Sequence, residues 1–144
     1  MEDKLLFSRL TPQAKAPSRG SSDAAGYDLF TPDRIEIPPH SRQLINTQIQ
    51  VYIPKNHYGH IAARSGLAVN QGLTVLCGTV DRDYMGSLKV CIYNTSDKTV
   101  QIEAGKAIAQ LILERNSTPP TEERFSLNTK TERGQRGFGS TDQP

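Results

Sequence analysis

Three short segments hold most of the residue types that can do phosphate or acid–base chemistry. The first is Gly78-Thr79-Val80-Asp81-Arg82-Asp83-Tyr84-Met85-Gly86, a loop between apolar runs with two carboxylates two residues apart. On an extended chain such a pair shares a face, so it can hold a divalent cation, or one carboxylate can take a proton from water while the other is structural. A plain Asp-rich turn has the same composition. The second segment, Ala63-Arg64-Ser65-Gly66-Leu67-Ala68, places a guanidinium, a hydroxyl and a glycine side by side, a set that suits an anion and is also common in surface turns. The third is Arg133-Gly134-Gln135-Arg136-Gly137-Phe138-Gly139-Ser140-Thr141. Its glycines let backbone N–H groups approach a phosphate, Arg133 and the hydroxyls of Ser140 and Thr141 donate hydrogen bonds, and the Phe138 ring can stack on a base. Together these make a nucleotide clamp, without Rossmann or P-loop spacing.

Two further polar residues stand in apolar strings. Asp28, within Ala25-Gly26-Tyr27-Asp28-Leu29, is expected to be buried by its neighbours and to need a cation or donors. Gln110 is the one uncharged long polar side chain in Ala107-Ile108-Ala109-Gln110-Leu111, which by itself reads as a solvated amide on an edge strand. His57 and His60 have the spacing of helical metal ligands, but they flank Tyr58-Gly59 in a non-helical stretch with no third ligand close.

Elements with a period of two must position these residues. From Ile45 to Ile53 the odd positions are Ile45, Thr47, Ile49, Val51 and Ile53 and the even ones are mostly polar, which predicts one half-buried strand. Leu88, Val90 and Ile92 repeat the pattern. Shorter β-like runs occupy 27–30, 34–37, 59–63, 72–76, 99–102 and 107–113, separated by Gly, Pro, Asn, Asp or Ser. No segment has a convincing helical period. The expected fold is all-β, a distorted jelly roll or barrel. Its core is assigned to residues 1–115, with an extended C-terminal arm over 116–144, where Phe125, Leu127 and Phe138 are the large apolar residues and Pro119-Pro120 stiffens the root.

The length of 144 residues predicts one domain, and an apolar content of 35% a thin core that assembly would help to bury. Lys and Arg total 17 against 15 Asp and Glu, with the signs mixed along the chain. That balance argues against a dedicated nucleic-acid or membrane surface and leaves small anionic ligands open. Cys77 and Cys91 lie in apolar runs and are expected to be reduced interior thiols. The start Met1-Glu2-Asp3-Lys4 does not read as a leader, and no run approaches eighteen apolar residues, so an intracellular protein is expected.

In order and spacing, five segments from Ala25 to Thr141 resemble the five motifs of the trimeric deoxyuridine triphosphatases (dUTPases). Residues 25–29 resemble the first motif, 64–68 the second, 78–86 the third, Ile108-Ala109-Gln110-Leu111 the fourth, and 133–141 the glycine-rich fifth. The resemblance implies that Asp81 activates a water for attack on the α-phosphorus of dUTP, giving dUMP and pyrophosphate. Such an activity limits uracil incorporation into DNA and supplies dUMP for thymidylate synthesis. It also implies that Tyr84 lies against the deoxyribose and that the backbone of 76–80 reads uracil, with Gly78 allowing close approach. Arg64, Ser65, Gly66 and Gln110 would hold phosphates. Phe138 would cover the uracil, and Arg133, Gly139, Ser140 and Thr141 would close over the triphosphate. Mg²⁺ is implied as cofactor, held by the phosphates and water, with Asp28 supporting from a distance and no direct protein ligand. The family further implies a homotrimer with shared sites, with dUTP as ligand, no nucleic-acid or membrane partner, and a cytoplasmic or nuclear location.

Three positions depart from the family pattern. Ala107 replaces an arginine that would pair with Asp28, a role that falls to Lys106; Thr79 replaces an aliphatic; and Asp142 replaces a glycine. Two other readings compete. A deoxycytidine triphosphate deaminase on the same fold needs a glutamate base and Ser-Ser after the arginine of the second motif, whereas this chain has Arg64-Ser65-Gly66. An inactive relative kept as a binding module is opposed by Asp81, Tyr84 and Phe138.

Overall fold

A computed structural model describes residues 4–139. Ser140, Thr141 and Asp142 lie outside these residues. Eleven strands run in chain order: β1 (Leu6–Arg9), β2 (Tyr27–Phe30), β3 (Ile35–Ile37), β4 (Arg42–Asn46), β5 (Ile49–Tyr52), β6 (His57–Ala62), β7 (Leu73–Leu76), β8 (Thr79–Val80), β9 (Lys89–Asn94), β10 (Val100–Ile102) and β11 (Ala107–Arg115). One helix, α1 (Ser65–Gln71), lies between β6 and β7. The strands pair antiparallel in four small sheets, β2-β11-β6-β8, β4-β9-β7, β1-β5 and β3-β10, around one core. This is the expected all-β, jelly-roll-like architecture. Among the described residues no helix is long and apolar enough to cross a membrane.

The period-two pattern placed the core correctly but not the ladder. Ile45, Thr47, Ile49, Val51 and Ile53 are all buried, yet the expected single strand is broken between β4 and β5. Gln48 has φ +61°, and its N–H bonds to Asn46 Oδ1 at 2.8 Å, while the Thr47 hydroxyl and N–H both donate to the Leu88 carbonyl at 2.7 and 3.0 Å. The kink takes the chain out of the β4-β9-β7 sheet and into the β1-β5 pair without changing which side chains point inward.

Two further expectations are corrected. A helix forms where none was expected: α1 buries no residue and leaves Val69 83% exposed, so it has no apolar stripe to read. What ends it is Gly72 at φ +71°, whose N–H caps the Ala68 carbonyl. The cysteines are not both interior. Cys91 is half-buried, and Cys77 is exposed in the tight β7–β8 turn at φ +56°. Strands β1 and β8 went unforeseen, being too short to show a period.

Past β11 the described chain forms no strand, and residues 116–139 are exposed almost throughout. Asn116 N–H bonds to the Asn56 carbonyl at 3.1 Å; further on, Lys130, Gly134 and Arg136 bond to arm residues within four positions.

Asn94 pins the loops at one end of the core. Fully buried, it donates to the carbonyls of Ile37, Pro38 and Lys98 at 3.0, 3.2 and 2.7 Å, while its oxygen accepts from the Ser96 N–H and hydroxyl. Asn94→Ala should lower unfolding stability by on the order of 3 kcal/mol, since it leaves several buried polar groups without partners. Gln101→Ala, which removes one exposed bond to Glu36, should cost less than about 0.5 kcal/mol. Urea unfolding of both variants checks this, and equal losses would contradict it.

Candidate active site

The site is organised around β6. This strand pairs with β11 on one side, with Gln110 opposite Ala62, and with β8 on the other, with Gly59 opposite Val80 and His60 opposite Thr79. It then leads through Ala63 into Arg64 and α1. The second, third and fourth motif-like segments therefore lie on or beside one strand, and β2 adds Asp28 directly across from Gln110.

On the β8 side, the turn from Leu76 to Val80 is fastened to β6. Ile61 N–H donates to the Gly78 carbonyl at 2.7 Å, and a Cβ on Gly78 would lie 2.5 Å from the Ile61 carbonyl oxygen. The close approach that Gly78 permits within this chain is thus that of a neighbouring strand. A cleft of about 200 Å³ opens beside the turn, lined by Ile61, Cys77, Thr79, Val80, Asp81 and Tyr84. Asp81 is exposed at its rim and also borders a larger cleft of about 500 Å³, with Lys55, His57, Arg82 and the arm root Asn116.

The Asp81–Tyr84 segment is a turn closed by Tyr84 N–H to the Asp81 carbonyl at 3.1 Å. The extended chain that would put Asp81 and Asp83 on one face is therefore absent there. The body holds this turn at two points. Arg82 Nη2 donates to the Tyr52 hydroxyl at 2.8 Å with its guanidinium over that ring, and the Tyr84 hydroxyl donates to the Ser87 carbonyl at 2.7 Å. The edge of the Tyr84 ring covers Gly86, where a Cβ would collide with the hydroxyl. Sequence reasoning missed the anchoring by Arg82, because Tyr52 is thirty residues away.

On the β2 side, a second cleft of about 280 Å³ is lined by Gly26, Asp28, Arg64, Ser65, Gly66 and Gln110. The expected burial of Asp28 is corrected: its side chain is 27% exposed and pairs with Arg64 Nε at 3.5 Å. Arg64 supplies the cation that had been assigned to Lys106. Gln110 is a positioned amide, with Nε2 donating to the Ala63 carbonyl at 3.1 Å and Oε1 against Gly26. This cleft gathers residues from the first, second and fourth segments.

The two clefts share no lining residue. One chain brings Asp81 and Tyr84 together, and separately brings Asp28, Arg64, Ser65, Gly66 and Gln110 together. Among the described arm residues, Asn116 borders the larger cleft beside Asp81, Phe138 is fully exposed, and Arg133 is tied to the Arg136 carbonyl at 2.6 Å. Gly139 is exposed at φ +89°. Ser140 and Thr141 fall outside the described residues. As for metal, no group of three or more His, Cys, Asp or Glu side chains clusters among the described residues.

The family model for dUTPase matches residues 12–142. The deoxyuridine 5′-triphosphate nucleotidohydrolase of avian adenovirus 8 is 48% identical over 138 residues, spanning 96% of this chain and 84% of that protein. The mouse (Mus musculus) enzyme of the same name is 45% identical over 137 residues, spanning 95% and 84%. Among solved structures, a mutant of the Staphylococcus bacteriophage 80alpha dUTPase with dUpNHpp matches with a TM-score of 0.89 at 26% identity, covering 96% of this chain and 98% of that one.

Two glycines separate a folding constraint from open space. Gly78→Ala forces a methyl into the Ile61 peptide and should destabilise the fold by about 1–3 kcal/mol. At Gly66, in the first turn of α1, a Cβ would meet nothing within 4 Å, and Gly66→Ala should leave stability unchanged or raise it by up to about 1 kcal/mol. Thermal unfolding of the two variants checks the contrast.

Proposed function

Because the chain belongs to the dUTPase family, we propose that it hydrolyses dUTP to dUMP and pyrophosphate, with each active site assembled from more than one copy of the chain. The observation that carries this reading is the division of the candidate residues between two clefts, with the exposed Phe138 and Arg133 in neither. A deoxynucleoside triphosphate needs a base-and-sugar wall, a phosphate cradle and a cover, and these three groups of residues suit those three roles. A closed ring of three copies brings them together by setting one chain's Asp81 cleft against a neighbour's Arg64 cleft.

In this reading Asp81 takes a proton from water as the water oxygen bonds to the α-phosphorus and the bond to the β-phosphate oxygen breaks. Its place at the rim of the cleft suits a base that must reach water. Tyr84, held by Ser87, flanks the sugar, and the 76–80 backbone presents N–H and C=O groups to uracil. Arg64, the Ser65 hydroxyl, the Gly66 backbone and the second N–H of the Gln110 amide bind the departing pyrophosphate. Phe138 and the glycine-rich end of the arm, Arg133 and Gly139 to Thr141, cover the loaded site and exclude water. The donor set fits Mg²⁺ arriving on the triphosphate better than a resident ion, because Asp28, the carboxylate of the phosphate cleft, is already paired with Arg64. When bound, Mg²⁺ neutralises part of the triphosphate charge. The enzyme is proposed to work inside the cell on the free nucleotide pool.

Asp81→Asn should keep nucleotide binding, since the amide fills the same space, and should lose most turnover, since it cannot take the proton. Measuring dUMP affinity and pyrophosphate release in the same preparation checks both halves. Normal release would exclude Asp81 as the base.

The shared site has its own test, which uses Asp81→Asn with an intact arm and a chain truncated after Thr131 that keeps Asp81. Each should be inactive alone. Refolded together in equal amounts, about three quarters of the trimers are mixed with one productive site in three, so roughly a quarter of wild-type activity should return. Mixed trimers, confirmed by mass, that stay inactive would show that base and arm come from the same chain.

A further inference from the structure

The 76–80 turn is held by more than its ladder, and this inference rests on the dUTPase reading above. We propose that His60, itself held by Glu114 and Tyr58, is a positioning residue for this turn and sets how stiffly its backbone rejects a 5-methylated base.

His60 lies directly opposite Thr79, and its Cδ2 is 3.3 Å from where a Cβ on Gly78 would stand, so the ring lies against that peptide. Its other edge is fixed, with Nδ1 2.8 Å from Glu114 Oε1. The second oxygen of Glu114 accepts from the Tyr58 hydroxyl. Tyr58 and His60 alternate on β6 and face the same side, and Glu114 is the ladder partner of Tyr58 on β11. The brace is therefore built across two paired strands and not from loop residues.

The charged group facing His60 from β11 is Glu114, and its own strand adds the Tyr58 hydroxyl. The turn and β8 bring the uncharged Gly78 and Thr79 against it. Hydrogen bonds from Tyr58, and then from His60, hold the Glu114 carboxyl below the usual range, and the same bond raises the Tyr58 phenol. The acceptor that orients the ring thus stays ionised through neutral pH.

The turn needs such support because β8 has two residues and Cys77 sits in the left-handed region. A wall that yields admits a methyl group, and one methylene discriminates only about 10–200-fold even in a firm pocket. Uracil and thymine differ by that one group. The stiffness of the Gly78 peptide therefore bears on selectivity as well as on affinity.

The test compares full-length His60→Ala, His60→Gln and Tyr58→Phe with wild type. It measures kcat and KM for dUTP and dTTP, dUMP affinity by calorimetry, and thermal unfolding. His60→Ala should raise KM for dUTP and weaken dUMP binding about ten-fold, change kcat by less than about two-fold, and lower the dUTP-to-dTTP preference about ten-fold. His60→Gln, which still reaches Glu114, should recover most of the preference, and Tyr58→Phe should shift it in the direction of His60→Ala by less. If His60→Ala does not fold, the other two variants carry the comparison. A wild-type preference in every folded variant, or equal damage from Ala and Gln, overturns the positioning role. Wild-type protein that does not release pyrophosphate from dUTP overturns the activity on which it rests, so the two failures are distinguishable.

Discussion

The hydrogen bond from Ile61 N–H to the Gly78 carbonyl, 2.7 Å long, is the contact on which most of the site depends. It closes the ladder between β6 and the short β8 at the point where the chain must turn toward Asp81. Without it β8 has two paired residues and no other neighbour in its sheet. The opposite edge of β6 carries β11 and then β2, so one strand transmits its position to the 76–80 turn on one side and to Gln110 and Asp28 on the other. The C-terminal end of β6 runs straight into Arg64. A shift of this strand would misplace both clefts together, and its interior residues Gly59 and Ile61 are buried accordingly.

That single scaffold still does not make a single site. Asp81 and Arg64 face different clefts because β6 separates the turn at one sheet edge from the loops at the other end. In the proposed assembly, several copies resolve this at little cost to each chain. The described arm has no core of its own, so surface buried between chains would stabilise the fold while completing the proposed site. The arm's exposed Phe125, Leu127 and Phe138 fit the same logic, since large apolar groups left in water favour any arrangement that covers them.

Much of this was legible before the structure, for identifiable reasons. Ile45 to Ile53 announced its inward face because alternation depends only on burial. It did not announce the break at Gln48, since the Thr47 bonds beside that break go to Leu88, which is distant in sequence. Arg64-Ser65-Gly66 is readable as a polar cluster that follows a strand, and the helix behind it is not readable, because α1 has no buried stripe. Asp28 was read as needing a cation and has one. The partner is Arg64, which follows β6, and not Lys106, which precedes β11. His60 was weighed for metal binding by its spacing to His57, whereas the residue that engages it is Glu114, fifty-four positions later. Local pattern shows which residues are unusual, and pairing across strands decides what they touch.

The same distinction bears on how one fold can be both selective and fast. A base read by backbone groups is read by atoms that cannot rotate away, so selectivity depends on how firmly the peptide is clamped. Here the clamp consists of a ladder bond, a glycine too close to its neighbour to move inward, and a ring tied to a carboxylate. Closure asks for the opposite property. In the proposed function a cover that must open to release pyrophosphate cannot be part of the packed body, and the described arm suits that role with glycines at 134, 137 and 139 and with local hydrogen bonds. Stiffness is therefore confined to the turn that faces the base and freedom to the segment proposed to seal it. The reader and the seal then come from different chains of the proposed assembly, so neither has to compromise the folding of the other.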